Sequence, residues 1–140
     1  MTRDPLSKIV WPENPTIETL AGAVADACGV RIQLAHIPEQ LRHPTISGLT
    51  VLVEEVAHVY FDPSLSPLNR IQTIAHEYAH ILNNDLCIDG QLVCHRTVFD
   101  DPHEKRAELL AMRLLMEIEN HQQMDRSPVL AFLAGRSTSP

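Results

Sequence analysis

Apolar positions recur at three- and four-residue spacing in three stretches of the chain, and at every second residue in the stretch between the first two. Ile17, Leu20, Ala21, Val24, Ala27 and Cys28 predict a first helix, with Asn14 as its cap, Pro15 in its first turn and Gly29 closing it. Leu68, Ile71, Ile74, Ala75, Tyr78 and Leu82 predict a second, opened by Ser66 and Pro67 and running to about Asn83. Ala107, Leu110, Ala111, Leu114, Leu115 and Ile118 predict a third, capped by Asp101 with Glu104 three residues later, and continuing to about Met124.

Between the first two helices the period falls to two. Val30, Ile32 and Leu34 alternate with Arg31, Gln33 and Ala35, and residues 49–53 and 56–61 form two β-rich runs around Glu54-Glu55. The pair predicts a hairpin, although two glutamates are not a favoured two-residue turn, and residues 56–61 are expected at its edge. Residues 1–14 are expected to lie as an irregular arm anchored by Trp11, and residues 15–135 as a single domain with no fused DNA-binding domain. Residues 38–44 are a connecting loop; residues 85–100, with Cys87, Cys94 and His95, show no clean period and are expected to be a functional loop. Ser127 and Pro128 predict a short last helix through Phe132. The fold class is α+β: a small antiparallel or mixed sheet packed on a helical core.

Composition narrows the partners. At 140 residues, 44% hydrophobic and 21% charged, the chain is an ordinary globular domain. Its net charge of −7 argues against direct nucleic-acid binding or an anionic membrane surface. Three cysteines are too few for a disulfide framework, and no signal-like or spanning apolar run occurs, so a cytoplasmic protein is expected. Oligomeric state leaves no mark in the sequence.

The chemistry lies in His76-Glu77-Tyr78-Ala79-His80, inside the second predicted helix. Histidines four apart stand one above the other on one helix face, so both imidazoles can reach one metal ion. Glu77 stands beside them as a carboxylate able to take a proton from water. A catalytic zinc commonly takes a third protein ligand. The third helix offers Glu104 and Glu108 on one face, with His103 and His95 before them. Glu104, in the first turn, is the better candidate; Glu108, one turn on, is placed to fix the tautomer of a ligand histidine.

Thr73-Ile-Ala-His-Glu-Tyr-Ala-His80, followed by Glu104-Lys-Arg-Ala107-Glu108-Leu-Leu-Ala111-Met-Arg-Leu114-Leu-Met116, resembles the ImmA/IrrE metallopeptidases. The resemblance spans roughly residues 15–118. It implies a zincin-like, gluzincin-type domain holding one zinc ion through His76, His80 and Glu104, with Glu77 as catalytic glutamate. It also implies a substrate: a helix-turn-helix repressor made as a separate chain. The chain departs from the family pattern at Ala79, where Gly is usual, at Leu110 for Phe, and at Glu117 for Pro, which lets the third helix run on.

The expected function is therefore a zinc-dependent endopeptidase. His58 and Tyr60, on the presumed edge strand, are candidate substrate-binding residues, and His95, His103 and Tyr60 are candidates for stabilising the oxyanion. The rival expectation is a zinc-containing regulatory protein that sequesters its partner without cutting it.

Overall fold

The computed structural model describes residues 4–85 and 102–126, which form a three-stranded sheet and three α-helices. Helix α1 (Leu20–Cys28) leads into β1 (Arg31–His36). The hairpin β2 (Gly48–Val53) and β3 (Val56–Phe61) follows, then α2 (Pro67–Leu82) and α3 (Pro102–Arg126). The predicted last helix and the loop cysteines fall outside the described residues.

The strand order is β1-β3-β2. β3 pairs in parallel with β1 and antiparallel with β2, so it is the central strand and not the edge. The reason is topological. The chain leaves β1 at His36 and enters β2 at Gly48, and both residues lie opposite Phe61, so the connection only has to pass the end of β3. Glu54 and Glu55 both take left-handed backbone conformations (φ 48° and 67°), giving a tight two-residue turn whose twist suits the hairpin despite its residue types.

Alternation along β3 buries Ala57, Val59 and Phe61 in the main core. Thr50, opposite Val59, shares that face and reaches α2, whereas Val51 and Leu49 share the other face with His58 and Tyr60. From α2, Ile74, Ala75, Tyr78 and Ala79 close the core; from α3, Ala107, Leu110, Leu114 and Ile118 do so. Their helical spacing turns one stripe of α3 inward and leaves Leu109, Met112 and Met116 exposed.

Helix starts follow local capping. The Ser66 hydroxyl accepts from Asn69 N–H, with Pro67 in the first turn, as expected. Asn14, by contrast, adopts φ 46°, and α1 starts only at Leu20. The turn before it holds a reciprocal pair: Thr19 N–H donates to the Thr16 hydroxyl (3.1 Å) and Thr16 N–H to the Thr19 hydroxyl (2.8 Å).

The N-terminal segment is more ordered than an irregular arm. A 3₁₀ turn at Pro5–Lys8 buries Leu6, Ile9 is buried just after it, and Trp11 stacks on His121 of α3 at 4.7 Å between ring centroids. No helix among the described residues is long and apolar enough to cross a membrane.

Candidate metal centre and active site

The C-terminal half of α2 is enclosed by the sheet on one side and α3 on the other. Glu77 (3% exposed) and His80 (1%) are thus taken out of water, while His76 stays partly open. Burial of a carboxylate and an imidazole is costly without partners. Both have them.

His76, His80 and Glu104 converge. Nε2 of His76 lies 3.1 Å from Nε2 of His80 and 2.9 Å from Oε1 of Glu104, and Nε2 of His80 lies 3.1 Å from Oε2 of Glu104. The imidazole planes cross at 76°, so their lone pairs meet in front of the rings instead of stacking. Donors about 2.0–2.2 Å from a tetrahedral ion stand roughly 3.2–3.6 Å apart, close to these separations.

The tautomer of His80 strengthens the fit. Its Nδ1 faces Oδ2 of Asp85 at 3.3 Å, and a carboxylate can only accept, so the proton sits on Nδ1. In a neutral ring Nε2 then presents a lone pair toward a Glu104 oxygen. Two acceptors facing each other are satisfied by a cation between them. The donor set of two imidazoles and one carboxylate suits a borderline ion such as zinc.

Glu77 is held from the other side. The Thr50 hydroxyl, on β2, donates to Glu77 Oε1 at 2.7 Å, and both residues are buried. β2 can approach α2 this closely because position 48 has no side chain. A Cβ on Gly48 would lie 2.4 Å from Thr73 Cγ2 and 3.1 Å from the Tyr60 carbonyl oxygen.

A cleft of about 440 Å³ opens over these groups, lined by Ser47, Leu65, Asn69, Gln72, Thr73, His76, Glu77, Glu104 and Glu108. Among the described residues its lining carries three carboxylates and no Lys or Arg. Glu108 therefore faces the cleft, and the contact behind a ligand histidine is made by Asp85. The sequence pattern did not single out Asp85, which opens the stretch 85–100 that has no clean period. Its spacing of five residues after His80, just past the helix end, was the available signal.

His58 and Tyr60 lie stacked on each other (5.9 Å between centroids) on the sheet face opposite Thr50, and so do not flank this cleft. His103 is exposed at the start of α3, with Nδ1 3.2 Å from Asp85 Oδ1. His95 lies outside the described residues.

A family model described as the IrrE N-terminal-like domain, Peptidase_M78, matches residues 38–125. The chain belongs to this family. The matched segment takes in Thr50, all of α2 with His76, Glu77 and His80, then Asp85 and Glu104, so the whole cleft is Peptidase_M78 sequence. No curated protein and no solved structure matched the chain. Membership makes this a peptidase-family domain, and its His76–His80–Glu104 group has the composition and spacing of a metal site. Ala79 is fully buried in place of the usual Gly, and α3 continues to Arg126 past Glu117.

Proposed function

We propose that the protein is a zinc-dependent endopeptidase of the zincin-like, gluzincin type, acting in the cytoplasm on a separately encoded helix-turn-helix repressor. The observation that carries the reading is the joint convergence of His76, His80 and Glu104 beside a buried Glu77 at the floor of an open cleft.

His76, His80 and Glu104 would hold one zinc ion per chain. Bound there, zinc supplies Lewis acidity, lowering the pKa of water and polarising the scissile carbonyl. Glu77 takes a proton from the attacking water and delivers it to the departing amine. Thr50 holds one Glu77 oxygen, which fixes the carboxylate's direction. Asp85 keeps His80 in the tautomer that presents Nε2 to the centre.

Among the described strands β2 has a free edge on the side away from β3, next to the cleft. An extended substrate segment can add there as a further strand, a mode that reads backbone and so suits a protein chain. The carboxylates around the cleft favour basic residues near the cut. The choice of repressor as substrate rests on the family resemblance.

The test uses a small helix-turn-helix regulator encoded beside this chain. Incubated with zinc and the protein, it should yield two fragments whose masses sum to the intact regulator plus water. A chelator should stop the reaction and added zinc restore it. A regulator that is bound but stays intact supports sequestration instead.

A further inference from the structure

Asp85 makes two contacts that lie on different helices. Its side chain is only 7% exposed; Oδ2 faces His80 Nδ1 at 3.3 Å, and Oδ1 faces His103 Nδ1 at 3.2 Å. His80 is the second imidazole of α2, and His103 immediately precedes Glu104 in the first turn of α3. One carboxylate thus touches a candidate ligand on one helix and the neighbour of a candidate ligand on the other. Asp85 is itself fixed, because its backbone N–H donates to the His80 carbonyl oxygen at 2.9 Å, just beyond the end of α2.

We propose that Asp85 is a positioning residue, a strut that fixes the His80 tautomer and sets the spacing of α2 and α3 so that Glu104 meets His76 and His80. The proposal rests on the metal-site reading above. A nearly enclosed carboxylate has two oxygens to satisfy and no donor of its own, so it holds the proton on the Nδ1 of His80 and can accept from the Nδ1 of His103 when Arg106 is turned away. Arg106 also lies 2.6 Å from His103 Nδ1. That atom cannot donate to Asp85 and accept from Arg106 together; the arginine is a donor only and the nearer of the two, so donation to Asp85 requires Arg106, which is exposed, to turn away.

The arrangement has a consequence for specificity of assembly. His76, His80 and Glu77 come from one rigid helix and keep their relative positions by local geometry alone. Glu104 arrives from a helix that begins 17 residues beyond Asp85 in sequence, and its position depends on how the two helices are tied. Apolar packing between α2 and α3 tolerates small slides; a two-armed carboxylate does not.

The test measures zinc affinity by competition with a chromophoric chelator, and the His80 tautomer by long-range ¹H–¹⁵N NMR on metal-free protein with neutral imidazoles. Wild type should show the Nδ1–H tautomer. Asp85→Ala should lose that preference and bind zinc roughly 10- to 100-fold more weakly. Asp85→Asn, nearly isosteric, guards against simple unfolding: its single carbonyl oxygen can serve one histidine, so its affinity should fall between the two. His103→Gln should weaken zinc binding less than Asp85→Ala, and the double variant should be no worse than Asp85→Ala. An Asp85→Ala protein that is folded by circular dichroism, keeps the His80 tautomer and binds zinc within twofold of wild type would overturn the strut. If wild type binds no zinc, the site reading falls, and the tautomer measurement still decides the role of Asp85.

Discussion

Thr50 on β2 and Glu77 on α2 are joined by a 2.7 Å hydrogen bond that neither shares with solvent. It ties the edge of the sheet to the carboxylate that is assigned the proton transfer. Strand and helix therefore orient the base together. A Thr50→Val variant keeps the shape and removes the donor. A hydrogen bond to a charged group is worth about 1.5–3 kcal/mol. Peptide hydrolysis should accordingly fall roughly 10- to 100-fold in kcat. Metal content, measured by mass spectrometry, should be unchanged, and Thr50→Ser should retain most activity.

Gly48 sets how near the strand can come. Gly48→Ala drives a methyl into Thr73 Cγ2 and the Tyr60 carbonyl, so stability in a denaturant titration should drop by about 1–3 kcal/mol. Adding Thr73→Ser removes the nearer clash and should recover more than half of the loss. Loss of the same size in single and double variants would place the conflict elsewhere.

Tyr78 is fully buried, and its hydroxyl donates to the Ile17 carbonyl at 2.8 Å, which closes α2 onto the turn before α1. Tyr78→Phe should cost about 1–2 kcal/mol at neutral pH. Burial raises the phenol's pKa in the folded protein. The stability tied to the neutral phenol is thus complete below the unfolded value, about 10, and is lost as pH rises beyond it. Between pH 9 and 11 the wild type should lose stability more steeply than Tyr78→Phe in parallel titrations.

The two acidic residues of α3 are expected to part company. Glu104→Ala should leave metal content well below one ion per chain, because it removes a group within 3.1 Å of both imidazoles. Glu108→Ala should keep near-full occupancy, since Glu108 only lines the cleft. Its effect should appear in KM for basic peptides. Equal occupancy in both variants would take Glu104 out of the metal site.

The parts of this site that were legible in the sequence are those set by local geometry. Ser66 and Pro67 begin a helix wherever they stand before apolar spacing of 3.6, and that helix alone puts His76 and His80 on one face. Glu104 was legible for the same reason, lying in a first turn. The position of β3 was not, because pairing with β1 depends on contacts more than twenty residues apart, and the hairpin residues look the same at an edge or in the centre. That ambiguity made His58 and Tyr60 candidates on a substrate-binding edge, whereas they stand on the central strand, on the face away from Thr50. Glu54-Glu55 hid its tight turn because neither residue favours positive φ. Asn14 looked like a cap by type, yet α1 begins at Leu20, behind a turn closed by the Thr16–Thr19 pair.

Glu77 is assigned the proton transfer at a metal held by His76, His80 and Glu104. The most direct measurement is the rate at which Glu77→Gln generates new N-termini in a peptide library, at a metal content matched to wild type. Wild-type zinc occupancy is expected, with a rate lower by on the order of 10²–10⁴-fold. A Glu77→Gln protein that carries its zinc and cuts at close to the wild-type rate would contradict it.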